Sequence, residues 1–112
     1  MKRYRMAKLP GFYKAFLDRY PEVGGAYNDL SRACKAAGPL DERTAELVKI
    51  GISVGAAMEG ATRSHVRKAL AAGATQEEIE HAVLMATTTL GFPAMMRGRA
   101  WMLSVFAGQD DD

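Results

Sequence analysis

The apolar positions of the chain mostly recur every three or four residues, which is the period of an α-helix. Near the N-terminus, Phe12, Phe16 and Tyr20 follow one another at intervals of four, and this spacing predicts one apolar helical face. No stretch alternates between apolar and polar residues with the period of two that a half-buried strand shows. The pattern therefore predicts an all-α protein of about six short helices joined by short turns.

Local chemistry predicts where these helices begin and end. Asp41 is the expected N-cap of the third helix, and Thr75 with Glu78 three residues later has the pattern of a capping box. Gly38 and Pro39 predict a stop, since glycine accepts the left-handed cap conformation and proline cannot continue a helix. Glycine is likewise expected to end the later helices, at Gly73, Gly91 and Gly108. The six helices are predicted to start near Pro10, Pro21, Asp41, Ala61, Thr75 and Pro93, with the fifth reaching Leu90.

The third helix is predicted to be apolar on all sides. From Leu47 to Met58 nearly every residue is apolar or small. Its β-branched residues also suit a strand, but the capped acidic start, the length and the Ala-rich end favour a helix. Such a helix belongs at the centre of a bundle or in an oligomer interface. Gly51 and Gly55, four residues apart, would let another helix backbone approach closely.

Length and charge narrow the class of protein. The 112 residues are 48% hydrophobic, and 15 basic against 13 acidic residues give a net charge of +2. These values fit one soluble domain over residues 1–112, with a basic arm at 1–9 and an acidic tail at 109–112. No basic stripe with interleaved aromatic residues occurs, so we expect no nucleic-acid partner.

Cys34 is the only cysteine, which excludes an internal disulfide and a Cys-rich metal site in one chain. We expect its side chain to be half-buried, and the cytoplasm to be the compartment of the protein. The basic N-terminus lacks the apolar core of a signal peptide. The longest apolar run, Ile50–Met58, is too short to span a bilayer, so no membrane partner is expected.

Glu46 is the most unusual acid in the sequence. It lies on a helical stripe with Ile50, Ser53 and Ala57. If that stripe is buried, desolvation would raise the pKa of the carboxyl group and let it exchange protons near neutral pH. The alternative is an ordinary first-turn acid that faces solvent and is favoured by the helix dipole.

His65 has the small residues Ala61 and Ala69 above and below it on its helix. A histidine in such a place can act as an acid or base at neutral pH, or it can simply make one structural hydrogen bond. His81 follows three glutamates and is predicted to be exposed. With two histidines and no HExxH-type spacing, we expect no metal site, and without a Gly-rich phosphate loop we expect no cofactor.

Two further groups of side chains allow two interpretations each. Arg97 and Arg99, next to Trp101, could hold an acidic substrate, although a solvated helix face is the simpler interpretation. The methionines of the second half are expected in the core or an interface, since methionine fills irregular gaps; they are Met58, Met85, Met95, Met96 and Met102.

Two stretches resemble the carboxymuconolactone decarboxylase family, which includes the AhpD-like alkylhydroperoxidases. They are DERTAELVKIGISVGAA and SHVRKALAAGATQEEIEHAVLMATTTLGFPA, and the resemblance runs from Asp41 to Ala94. It implies an all-α, AhpD-like helical bundle that forms a homo-oligomer, often a trimer or a hexamer.

The resemblance also implies site residues. The AhpD-like peroxidases use a glutamate, a CxxC pair and a histidine, and the glutamate and histidine match Glu46 and His65. The two cysteines would fall at Met58 and Ala61, neither of which can form a thiolate or a disulfide. A peroxiredoxin-like thiol mechanism is therefore not expected, whereas the decarboxylase branch, which acts on a lactone acid, does not need the cysteine pair.

Three hypotheses follow. The first is acid–base chemistry of the lyase or decarboxylase type, in which Glu46 and His65 act on a small organic acid in a pocket at a subunit interface. The second is a non-catalytic helical oligomer that binds a small molecule or a partner, with Glu46 and His65 hydrogen-bonded to each other or to the backbone and no pocket beside them. The third is residual redox chemistry through Cys34.

Overall fold

Seven helical segments make up residues 11–109, which is the part of the chain that the computed structural model describes. Six of them have nine or more residues, one has four, and no strand occurs within this range. They are α1 (Gly11–Arg19), α2 (Pro21–Ala36), α3 (Glu42–Gly55), α4 (Glu59–Ala71), α5 (Gln76–Leu84), α6 (Thr87–Leu90) and α7 (Phe92–Phe106). The predicted all-α fold with about six helices is confirmed. The predicted arm at 1–9 and the acidic tail, apart from Gln109, lie outside the described residues.

Most of the predicted helix boundaries are confirmed by the hydrogen bonds at the helix ends. The Asp41 carboxylate accepts the Thr44 N–H at 2.8 Å. In the capping box of α5, the Glu78 N–H donates to the Thr75 hydroxyl, and the Thr75 N–H donates to the Glu78 carboxylate, both at 3.0 Å. Three of the expected glycines have positive φ angles, namely Gly73 (99°), Gly91 (105°) and Gly108 (74°).

The structure corrects the expectation for Gly38. Gly38 is not among the residues with positive φ, and α2 ends two residues earlier, at Ala36, with Ala37 in the ordinary α conformation. The stop therefore does not use a left-handed glycine. Pro39 is sufficient to prevent continuation, since proline disfavours the α conformation in the residue before it.

Two other boundaries differ from the prediction. The break between α3 and α4 lies at 56–58, because Ala57 takes a left-handed φ of 57°, and α4 therefore begins at Glu59 and not near Ala61. The fifth predicted helix stops at Leu84, and the Thr87 hydroxyl donates to the Leu84 carbonyl at 2.7 Å. Threonine side chains that bond to the backbone in this way compete with a continuous helix.

The core lies between α3, α4, α5 and α7, which contact one another pairwise. α3 contacts the other three helices, but Val48 and Ile52 on its outer side are exposed, so within one chain this apolar helix is covered on one side only. Apolar residues that recur every three or four positions on α4, α5 and α7 supply most of the core, whereas Leu90 and Met96 are exposed. The buried apolar residues are Ile50, Val54, Val66, Ala69, Ala74, Ile79, Val83, Ala86, Met95, Met102 and Val105.

The close approach of two helices occurs at Gly98 and not at Gly51 and Gly55. A Cβ on Gly98 of α7 would lie 2.8 Å from Cγ2 of Val54 on α3. A Cβ on Gly51 would meet no atom within 4 Å, and one on Gly55 would meet only the Leu90 side chain at 3.6 Å. In the core, the glycine at the close contact between two helices is therefore on α7 and not on α3.

Gly98 and Gly51 allow the same substitution to be compared at a crowded and at an open position. We expect Gly98→Ala to lower the free energy of unfolding by about 1–3 kcal/mol, since the new methyl group overlaps the stiff, branched Val54 side chain. Gly51→Ala should raise it by about 0.5–1 kcal/mol, because alanine is the better helix former and meets no neighbour. Urea unfolding of both variants measures the difference. Equal stabilisation by both alanines would show that the contact at Gly98 is not tight.

The first two helices are poorly covered. α1 and α2 pack against each other, where Gly24 leaves room for the Leu17 side chain, but they make few contacts with the other helices. The predicted apolar face of α1 is exposed, with Phe12 at 83%. α2 also exposes the apolar residues that recur every three or four positions along it, namely Val23, Tyr27, Leu30 and Cys34. No apolar side chain from residues 11–109 covers these two faces.

Candidate functional site

Glu46 and His65 meet between α3 and α4. The two helices form a hairpin through the turn at 56–58 and are in extensive contact. Glu46 lies one turn into α3, with its side chain 1% exposed, and its Oε1 atom is 2.7 Å from Nδ1 of His65. The imidazole ring retains 21% exposure. The fold therefore places a buried carboxylate behind a histidine that reaches the surface.

The structure corrects the expected direction of the pKa of Glu46. Burial raises this pKa, as the sequence predicted, but the hydrogen bond from His65 lowers it. The positive charge of a protonated His65 and those of Lys49 and Lys68 lower this pKa further, and the net result is a pKa below the ordinary value. Glu46 is therefore an ionised hydrogen-bond acceptor at neutral pH and not a group that exchanges protons there.

The ionised Glu46 carboxylate determines which nitrogen of the His65 ring carries the proton. Because a carboxylate can only accept, Nδ1 of His65 must be the atom that carries the proton in this contact. In neutral imidazole the other nitrogen, Nε2, then has a free lone pair. Glu46 therefore fixes the orientation of the imidazole ring and leaves Nε2 available to a hydrogen-bond donor.

Buried hydroxyl groups hold the two helices in register beside the pair. Ser53 on α3 and Thr62 on α4 are both buried, and their hydroxyl oxygens are 2.9 Å apart. The Ser53 hydroxyl also donates to the carbonyl of Ile50 at 2.9 Å, and Thr62 lies 2.9 Å from the carbonyl of Met58. The sequence stripe included Ser53, but Thr62 was missed, because a lone threonine in a helix gives no signal of burial.

The sequence also gave no role to the two lysines that flank the pair. Lys49 lies three residues after Glu46 on α3, and Lys68 lies three residues after His65 on α4, so each is one helical turn away on the same side. Desolvation lowers the pKa of Lys68, and the positive charges of Lys35, Lys49 and Arg67 lower it further, against the opposing effect of Glu46. The sequence could have indicated these two lysines, because each follows a residue of the pair by three positions and so lies on the same side of its helix.

The other candidate residues lie apart from the pair. His81 is exposed, as predicted. Arg99 bonds to Glu80 at 3.2 Å, and Arg97 stacks over the Trp101 ring at 5.6 Å. These contacts belong to a solvated helix face. Of the methionines, Met95 and Met102 are core residues, whereas Met58, Met85 and Met96 are exposed.

The positions that match the missing cysteines lie at the start of α4. Met58 is the N-cap residue, and Ala61 lies in the first turn. A helix N-terminus is a place where a thiol pKa is lowered, so the position suits a reactive cysteine, but thioether and methyl groups occupy it here. Cys34 is exposed and not half-buried as expected.

Two open cavities on the surface have linings that include neither Glu46 nor His65. One, of about 130 Å³, lies between the end of α2 and the start of α3, and its lining includes Cys34, Lys35 and Lys49. The other, of about 350 Å³, is a wide depression beside His81 and Arg99.

Residues 11–109 contain no group of three or more His, Cys, Asp or Glu side chains arranged to hold a metal ion. No helix in the same range has the length and apolar character needed to cross a bilayer.

Comparison with known proteins agrees with the all-α fold. A family model described as the carboxymuconolactone decarboxylase family matches residues 21–103. The chain belongs to the carboxymuconolactone decarboxylase family, which confirms the resemblance found in the sequence.

Two individual proteins are similar to this chain. An uncharacterised 15.0 kDa protein from the nqo9–nqo10 intergenic region of Paracoccus denitrificans is 41% identical over 75 residues, which is 65% of this chain. The match spans 56% of the length of that relative. The crystal structure of apo-lpg0406, a carboxymuconolactone decarboxylase family protein from Legionella pneumophila, covers 88% of both chains with a TM-score of 0.75 and 23% identity. At that identity the likeness concerns the fold.

Proposed function

We propose that this protein is a carboxymuconolactone decarboxylase-like enzyme in which His65 transfers a proton to or from a small organic acid. The observation that carries the proposal is the 2.7 Å contact between Oε1 of Glu46 and Nδ1 of His65, with the carboxylate buried and the ring partly exposed. The same order of buried carboxylate, imidazole and free Nε2 serves general acid–base catalysis in other enzymes.

The proposed roles of the two residues differ. His65 is the catalytic residue, and its Nε2 atom removes a proton from carbon next to a carbonyl group or delivers one to the carbon that a departing carboxylate leaves. Glu46 is a positioning residue, because it acts on the substrate only through the imidazole. This assignment changes the expectation that both residues exchange protons, since the lowered pKa of Glu46 keeps it ionised.

Family membership supports the lyase or decarboxylase class, and Met58 and Ala61 oppose a thiol peroxidase. The substrate class we propose is a small lactone or keto acid. Lys49 and Lys68, one turn from the pair, favour an acidic molecule over a neutral one. We further propose a homo-oligomer, a trimer or a hexamer, located in the cytoplasm, with the substrate pocket at a subunit interface. The exposed apolar faces of α1 and α2 support the oligomer.

Substitution of His65 tests the proposed chemistry. With carboxymuconolactone and a panel of small keto acids as substrates, the release of CO₂ gives kcat and KM. We expect His65→Gln to lower kcat by about 10²–10⁴-fold, the usual range for one general acid–base group. Glu46→Gln should cause a smaller loss, because glutamine still accepts the Nδ1–H bond but cannot stabilise the imidazolium ion.

Matched controls are available elsewhere in the chain. His81→Gln and Glu77→Gln remove an exposed histidine and an exposed glutamate and should leave both kinetic constants unchanged. Cys34→Ser should also be silent; if it abolished turnover or hydroperoxide reduction, the redox hypothesis would replace the proposal. Full activity in folded His65→Gln would show that the histidine is not the proton carrier.

A second candidate function is a non-catalytic oligomer that binds a small molecule. One observation favours it, since Glu46 and His65 bond to each other and line neither of the two cavities described above. Under this alternative, the pair only joins α3 to α4. Folded Glu46→Gln and His65→Gln variants would then bind small acids with unchanged affinity, and the unsubstituted protein would turn none of them over.

A further inference from the structure

The smaller cavity has the form of a binding site for a small molecule. It lies where the end of α2, the turn at 37–41 and the first turns of α3 meet, and it has a volume of about 130 Å³. An apolar protein cavity of about 150 Å³ accommodates benzene. The space therefore suits one ring or a short chain.

The lining of the cavity is apolar with two cations. Leu40 and Ala45 supply aliphatic surface, and Gly38 supplies bare backbone, while Lys35 and Lys49 are the charged residues that line it. A Cβ on Gly38 would meet no atom within 4 Å, so open space lies directly in front of this residue. Lysine stems can cover an apolar ligand while their ammonium groups remain at its polar end.

Positive charge accumulates around this cavity. Lys35 has a carboxylate partner only at the limit of an ion pair, with 3.9 Å between its Nζ atom and Oε2 of Glu42. The nearby carboxylate of Glu46 is engaged by His65. Lys35, Lys49 and Lys68 are close enough that Lys35 and Lys49 contribute to the lowered pKa of Lys68. A bound carboxylate would relieve this repulsion.

We propose that this cavity binds a small organic anion, with the carboxylate between Lys35 and Lys49 and the apolar body against Leu40 and Ala45. The site is separate from the contact between Glu46 and His65, and the inference does not rest on the proposed catalytic function. Cys34, which lines the same cavity and is the only cysteine, serves here only as a reporter of what enters it.

The test measures the alkylation rate of Cys34 by mass spectrometry of the intact protein. Iodoacetate carries a carboxylate and iodoacetamide does not, and both react with the same thiolate. The ratio of their rates therefore cancels any change in the reactivity of the thiol. We expect Lys35→Gln and Lys49→Gln each to lower the iodoacetate-to-iodoacetamide ratio by roughly two- to fivefold, the usual weight of one partly exposed ion pair. Lys14→Gln removes an exposed lysine on α1 and should leave the ratio unchanged.

Benzoate and benzamide test the shape and charge of the ligand separately. Benzoate should slow the alkylation of Cys34 by iodoacetamide, and benzamide, which has the same ring without the charge, should slow it much less. Gly38→Leu is expected to abolish protection by benzoate without changing the net charge, because the new side chain extends into the open space in front of residue 38.

We expect the iodoacetate-to-iodoacetamide ratio to fall when Lys35 or Lys49 is replaced. We also expect benzoate, with its carboxylate, to protect Cys34 much better than benzamide does. A ratio that Lys35→Gln and Lys49→Gln leave unchanged would overturn the proposal, as would equal protection by benzoate and benzamide. His65→Gln should retain the ratio and the protection, so a failure of the proposed catalysis and a failure of this site give different results.

Discussion

Replacing Glu46 with alanine is expected to lower the free energy of unfolding by about 2–4 kcal/mol. The substitution leaves a cavity between α3 and α4 and removes the partner of the His65 ring. The partial exposure of the ring limits the loss, because water can solvate Nδ1 once the carboxylate is gone. Urea unfolding followed by circular dichroism gives the value. Glu77→Ala, at an exposed position on α5, should change stability by less than about 0.5 kcal/mol.

The Glu46 carboxylate should also make the free energy of unfolding fall as the solution becomes acidic. The folded pKa of Glu46 lies below its ordinary value of 4.5, so its contribution is fully present above that value and is lost as the pH falls through the folded pKa. Glu46→Gln lacks this contribution at every pH. The stability difference between the unsubstituted protein and Glu46→Gln should therefore shrink as the pH falls below 4.5. A difference that grows in acid would contradict the lowered pKa.

The second large loss in the free energy of unfolding is expected when Ile50 is truncated. Its side chain is fully buried between Glu46 and the rest of the core, and Ile50→Ala should cost about 2–5 kcal/mol through lost burial and the cavity that remains. Ile52, two residues along α3, is 65% exposed. The same truncation there should cost a single chain much less, since most of the side chain already faces solvent.

The Ile52→Ala variant also tests the proposed oligomer. If α3 faces a second copy of the chain, the variant should shift sedimentation equilibrium towards smaller species while its spectrum stays helical. An unchanged oligomer mass, or a monomeric parent protein, would remove α3 from the interface. Ile50→Ala serves as the comparison, because it weakens the fold without altering the outer face of the helix.

Some parts of the fold could be predicted from the sequence because their causes are local. Asp41 and the Thr75–Glu78 pair bond to backbone groups within three residues, so the sequence contains both partners. The core faces of α4 and α5 follow from helical periodicity. The end of α5 was missed because the Thr87 hydroxyl competes for a backbone carbonyl, and a pattern of apolar positions does not register that competition.

The site depended more on contacts between helices. The apolar neighbours of Glu46 made burial one of two alternatives, but the direction of its pKa could not be predicted. That direction follows from His65 and Lys68, which are on another helix, and from Lys49. The close contact between Gly98 and Val54 was missed for a similar reason, because their helices are far apart in the chain. Whether Glu46 and His65 act in catalysis stays a prediction.

The contact between Glu46 and His65 joins residues that are only 19 positions apart, within one helical hairpin. Structures built from contacts that are near in sequence form quickly, because little chain entropy is lost before the contact is made. The pair is thus among the elements of the fold that can assemble early. If the chain forms the proposed homo-oligomer, the faces of α1 and α2 that lack cover within residues 11–109 would be buried only on assembly, at a rate that depends on protein concentration.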